Sequence, residues 1–158
     1  LTRAESYGAS TEAEIGFVGY AEGAASKGTD PDEARAFHDA APVDCLAVSV
    51  GNVHLHQEAA VSLDLELLGR IRDCVPCPLV LHGGSGIPAS ERQRAAHEFR
   101  VRKINLGPEL RQVYGGELRA SLASDPSLFD RIKIEEAIAP ALQAAAERAL
   151  KEAWEGAS

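Results

Sequence analysis

The feature that most limits what this chain can fold into is a repeated unit. A short apolar run ends in glycine and a polar side chain, and a helical pattern follows. The clearest copy is Pro78-Leu79-Val80-Leu81-His82-Gly83-Gly84-Ser85-Gly86. Leu79 to Leu81 lacks polar alternation and is bounded by proline and glycine, which marks a buried strand. Val43 to Val50 repeats the pattern and ends in Gly51-Asn52-Val53-His54. Val101 to Gly107 repeats it again, with Asn105 near its end. An earlier strand is predicted in Thr11 to Val18, with Glu12 and Glu14 on one side and Ala13, Ile15 and Phe17 on the other. Alternating strands and helices imply an α/β fold with parallel strands and right-handed crossovers. About four such units make half of an eight-stranded (β/α)8 barrel. A whole barrel typically takes about 250 residues and rarely fewer than roughly 200. With 158 residues the chain is too short to close one alone.

Helices are expected from Asp30-Pro31, across Leu63 to Ile71, Ser90 to Phe99 and Glu109 to Leu122, and along the Ala-rich stretch Ile134 to Trp154. Pro140 should kink the last one or mark its true start. No complete element is expected before Ser10, and Gly19 to Gly28 reads as a mobile loop. Leu1 is an implausible initiator, so the chain reads as cut. No linker composition divides it, and 1–158 reads as a single domain.

A net charge of −8 without a Lys/Arg cluster argues against nucleic acid and anionic membrane as partners. No run approaches the roughly 20 apolar residues of a membrane span. Three cysteines and no secretory signal point to reduced thiols and a cytoplasmic location. Cys74-Val75-Pro76-Cys77 has metal-knuckle spacing but no second CxxC. It reads as a pair of small buried residues.

In parallel α/β folds the chemistry sits at the C-terminal strand ends. His54 and His82 each follow an apolar strand, and neutral imidazoles at neighbouring strand ends suit zinc. The alternative for either one is a hydrogen-bonded loop histidine. His56 forms an HxH with His54. Gly83 to Gly86 and Asn105-Leu106-Gly107 can cradle an anion, with helix N-termini behind them; two tight turns are the other reading. An anionic ligand would need positive charge from a metal, from backbone amides or from Lys103. Glu14 is a third ligand, a general base or part of a solvated strand edge. Glu12 and Glu14 would repel if buried together, which a cation between them would relieve. His38 and His97 fall on amphipathic helices, as surface groups.

At these residues the chain resembles class II, zinc-dependent ketose-bisphosphate aldolases. The segments carrying the resemblance are Glu12-Ala13-Glu14-Ile15-Gly16, Leu46 to His54, Leu63 to Leu68, Pro78 to Gly86 and Lys103-Ile104-Asn105-Leu106-Gly107, in the family's order and spacing. The family fold is a TIM barrel. The resemblance implies that this chain covers its last four βα units and C-terminal helices. It implies zinc on His54 and His82, with Glu14 at an alternate or second metal site. It implies that Gly83, Gly84, Ser85, Asn105 and Gly107 hold dihydroxyacetone phosphate. The implied reaction is reversible aldol cleavage of a ketose bisphosphate. Zinc polarises the ketone, and proton removal gives an enediolate that adds to an aldehyde.

Three departures stand out. No Asp-His-Gly segment is present, so the family's first zinc histidine and its acid/base aspartate have no counterpart here. Leu55 replaces the glycine after the second zinc histidine. Pro108 replaces a common threonine, removing a hydroxyl and an N–H. The chain alone is therefore not expected to be a competent aldolase, and its catalytic residue is unknown. The competing readings are a metal-dependent hydrolase using His54, His56 and His82, and a non-catalytic module that binds a phosphorylated ligand or acts in assembly. The expected assembly is a homo-oligomer or a pairing with a missing N-terminal half. An open half-barrel should expose apolar edges and self-associate. Light scattering checks this, and a compact monomer would contradict it.

Overall fold

A computed structural model describes residues 2–16, 27–52 and 62–154. The order of elements is α1 (Thr2–Ser6), β1 (Glu12–Ile15), α2 (Pro31–Ala40), β2 (Cys45–Val48), α3 (Leu65–Cys74), β3 (Leu79–Leu81), a 3-10 turn (Gly84–Gly86), α4 (Ala89–Glu98), β4 (Val101–Ile104), α5 (Pro108–Ser124) and α6 (Arg131–Trp154). The four strands form one sheet in the order β1-β2-β3-β4, every pairing parallel. Each crossover steps the same way, so the helices gather on one face. This is barrel winding; a doubly wound sheet would reverse direction at a switch point.

Several boundaries differ from those the sequence predicts, each for a local reason. A short α1 precedes Ser10, where no element was expected. α3 begins at Leu65, because the Asp64 side chain caps it by accepting the Leu67 N–H at 2.8 Å. Leu63 lies outside the helix, its N–H donating to Glu91 at 2.6 Å. α6 begins at Arg131, where the Asp130 carboxylate accepts the Ile132 N–H at 2.9 Å. Pro140 therefore lies inside the helix, on its exposed side, where water can reach the carbonyl its ring leaves unpaired. Phe17 and Val18 of the first predicted strand, and most of the loop from Gly19, lie outside the described residues.

The core lies between the sheet and the helices. Leu46, Val48, Leu79, Leu81 and Val101 project from the strands to meet Ala34, Leu68, Ile71, Val75 and Ala95, all buried. Ile138, Ala145 and Ala149 bury a stripe of α6, which packs on α4 and α5. Alternation sends Glu12, Glu14, Cys45 and Ala47 to the opposite face. Strict alternation from Val101 would send Lys103 into the core. A bulge prevents this: Leu79 pairs with Val101, but Val80 pairs with Lys103. Arg102 is the extra residue, its guanidinium donating to the Ala96 carbonyl at 2.6 Å. Lys103 thereby joins the glutamates on the open face.

That face is concave. Three strand spacings, roughly 14 Å, separate β1 from β4 along the sheet. Upright side chains on a flat sheet could not close this gap. Yet Lys103 Nζ on β4 lies 2.7 Å from Glu12 Oε2 on β1. The open face is thus charged. Among the described residues the exposed large apolar side chains are Tyr7, Leu122, Phe129, Ile132 and Leu150, all off the sheet. The apolar sheet edges expected from the sequence are absent there.

Burial raises the Glu12 carboxyl pKa, but hydrogen bonds from Lys103 and then His82 outweigh it and hold the group below its ordinary value of 4.5. A carboxyl depressed on folding stabilises the fold above its unfolded pKa, and that contribution is lost as the pH falls through the folded pKa. Urea titrations of Glu12→Gln should therefore show a smaller loss of stability than the parent as pH falls below about 4.5. Asn52→Leu should cost about 2 to 3 kcal/mol at any pH. Its fully buried amide accepts the Val50 N–H at 2.7 Å and donates to the His82 carbonyl at 2.9 Å, and both would lose their partner.

Candidate active site

His82 immediately follows β3, and Asn52, beyond the end of β2, grips its carbonyl. The imidazole stands between two carboxylates. Nε2 lies 3.3 Å from Glu12 Oε1 and Nδ1 lies 3.4 Å from Glu14 Oε1. The Lys103 ammonium offsets the charge of Glu12 and so eases the mutual repulsion anticipated for Glu12 and Glu14. Lys103 was a sequence candidate for attracting an anion; its charge is instead committed to Glu12. Cys45 completes the group, with Sγ 3.6 Å from Glu12 Oε2. Burial, then the Glu12 carboxylate, push its thiol pKa up, so it is a poor candidate nucleophile.

A zinc ion bound at about 2.1 Å to nitrogen and oxygen in a tetrahedron keeps those two atoms roughly 3.4 Å apart. His82 Nδ1 and Glu14 Oε1 stand at that separation. Among the described residues, no group of three or more His, Cys, Asp and Glu forms a metal site. The pair fits zinc as part of a ligand set and requires further donors. His54 and His56, and Leu55 between them, lie outside the described residues.

The glycine-rich turn joins the ends of β3 and β4. Gly83 has φ 67°, in the left-handed region where glycine carries no Cβ penalty. Gly84 packs directly on the next strand end. A Cβ there would collide with the Ile104 side chain and lie 3.1 Å from the Asn105 carbonyl. The Gly84 N–H donates to that carbonyl at 3.0 Å, and the Asn105 N–H donates to Leu81 at 2.9 Å. Ser85 Oγ accepts the Glu109 N–H at 3.2 Å, so the serine caps the first turn of α5. Gly107 precedes that helix, with the Arg111 guanidinium beside it. Gly83, Gly84, Ser85, Asn105 and Gly107 are thus gathered at adjacent strand ends, and the Asn105 side chain is exposed.

Other sequence candidates fall elsewhere. His97 is exposed on α4 and His38 half-buried on α2. Cys74 and Cys77 carry free thiols at the end of α3 and beyond it, and only Cys77 is buried. The sequence reading missed Asn52 and Arg111. Arg111 was findable, because it lies one helical turn after Gly107. Asn52 had only its place beside Gly51 to mark it.

Comparison with known proteins bears on this arrangement. Residues 1–155 match the class-II fructose-bisphosphate aldolase family. A fructose-bisphosphate aldolase of Geobacillus stearothermophilus is 37% identical over 135 residues, covering 83% of this chain and 47% of that protein. The YdjI aldolase of Escherichia coli K12 superposes with a TM-score of 0.72 at 31% identity, over 96% of this chain and 49% of that one. A Coccidioides immitis protein assigned as a fructose-1,6-bisphosphate aldolase gives 0.80 at 28% identity, over 96% of this chain and 54% of that one. The chain spans about half the length of these relatives. It carries a partial barrel and belongs to the class II fructose-bisphosphate aldolase family.

Proposed function

We propose that this chain is a single domain supplying the C-terminal half of a class II aldolase barrel. Completed, the barrel cleaves a ketose bisphosphate reversibly to dihydroxyacetone phosphate and an aldehyde. The observation carrying this reading is His82, flanked by carboxylates at a β-strand end and followed at once by the Gly83–Ser85 turn. His82, with Glu14 beside it, would hold zinc together with His54, which follows the β2 segment in sequence. When bound, zinc supplies a Lewis acid for the ketone.

Gly83, Gly84, Ser85, Asn105 and Gly107 receive the phosphorylated end of the sugar at the mouth formed by β3 and β4. The turn brings backbone close to the ligand, and α5 directs its N-terminal partial charge there. Ser85 Oγ accepts the Glu109 N–H and keeps its own O–H to donate to a phosphate oxygen. Pro108 removes an N–H from the first turn of α5 and weakens the cradle. The acid/base carboxylate and a further zinc ligand belong to the complementary half. The cytoplasmic setting is proposed from the low, odd cysteine count of the sequence.

Zinc stoichiometry of the purified chain, beside a His54→Ala/His82→Ala double variant, tests the metal assignment. The expected result is about one zinc per chain, lost in the variant. Equal zinc in both would overturn it. Supplying the N-terminal half of a related aldolase should restore cleavage of fructose 1,6-bisphosphate. A Gly84→Ala chain, unable to pack its turn on Ile104, should lower that activity by tenfold or more, as a misplacement of about 1 Å typically does.

A further inference from the structure

One group at the strand ends has no role in the reaction as proposed: the ion pair joining Lys103 to Glu12. Both oxygens of Glu12 are engaged. Oε2 takes the Lys103 ammonium at 2.7 Å and the Cys45 thiol at 3.6 Å, and Oε1 faces His82 Nε2 at 3.3 Å. Side chains from β2 and β4 thus fix this carboxylate, and its side chain is only 29% exposed. Glu14, on the other side of the ring, is 42% exposed.

A neutral imidazole has one N–H to give. With a fixed acceptor at Nε2, the proton belongs there. The Nδ1 lone pair then faces the Glu14 carboxylate at 3.4 Å. Two electron-rich atoms at that separation are favourable only with a cation between them. A carboxylate behind a metal-binding histidine fixes its tautomer and ring orientation in this way.

We propose that Glu12 and Lys103 are positioning residues for His82. Lys103 fixes the Glu12 carboxylate, and Glu12 holds the proton on Nε2, so that Nδ1 is presented to a cation beside Glu14. The bulge at Arg102 belongs to this device, since it is what puts Lys103 on the concave face. The inference rests on the aldolase reading only in treating His82 as metal-binding. The alternative is that the ion pair merely holds the curl of the sheet.

Long-range proton–nitrogen spectra of the metal-free chain at pH 9 separate these roles, with His82 identified by the signals missing from His82→Gln. At that pH an ordinary imidazole is neutral. The parent should show the Nε2–H tautomer in roughly tenfold excess or more, as a charge-assisted hydrogen bond requires. Lys103→Met should lower the Nε2–H excess. Glu12→Leu, which leaves the Glu14 carboxylate at Nδ1, should shift His82 toward the Nδ1–H tautomer, and Lys103→Arg should restore the parent pattern. Circular dichroism of the same samples checks that each is folded, and Lys103, half-exposed, is a mild site for change. An even mixture in the parent, or parent-like ring signals in both folded variants, would overturn the proposal. A tautomer that responds as expected, in a chain whose zinc content survives His82→Gln, would uphold the positioning and sink the metal assignment instead.

Discussion

A lysine on the last strand reaching a glutamate on the first is the contact on which the mouth of this sheet depends. Lys103 and Glu12 cannot meet unless four strands curl, and once they meet the concave face acquires a fixed arrangement of charge. His82 then lies between Glu12 and Glu14, with an imidazole facing a carboxylate on either side. An exposed ion pair contributes little to stability, typically about 1 kcal/mol or less. Its weight here is geometric: it orders the one face that has no helices on it.

Asn52 performs the corresponding task for the backbone. Its buried amide binds the Val50 N–H and the His82 carbonyl, and so ties the ends of β2 and β3 together. The turn at Gly83–Gly84 does the same for β3 and β4, through the Gly84 N–H and the Asn105 carbonyl. Three strand ends are thereby held in register by two local devices, one amide and one glycine without room for a Cβ. The helices supply the core; these devices place the groups that would do the chemistry.

Much of this was legible in the sequence. Apolar runs flanked by glycine gave the strands, and their alternation with helical stretches gave the parallel order. The family motifs located His82, Gly83 to Ser85 and Asn105, and the structure brings these together. What the sequence concealed was set by single residues. The bulge at Arg102 inverts the facing of Lys103 and Ile104, and two charges in succession within Val101–Ile104 were its only trace. The start of α6 turned on the Asp130 side chain, which overrode the stop signal of Pro140. Among the described residues no exposed large apolar side chain lies on the sheet, because Ala47 and Val80 are buried on the inner face beside Glu12, Glu14 and Lys103.

The strand order has a consequence for how such a chain reaches its structure. Among the described residues each strand pairs only with its neighbours in sequence, and every pairing closes a crossover that contains one described α-helix. Contact order therefore stays moderate for a parallel sheet, and the search for partners is local at each step. A sheet of this kind can grow at one edge as the chain leaves the ribosome, each new unit docking on the last. A cut between units would sever one edge of pairing and also the helix packing, because one core runs across α2, α3 and α4.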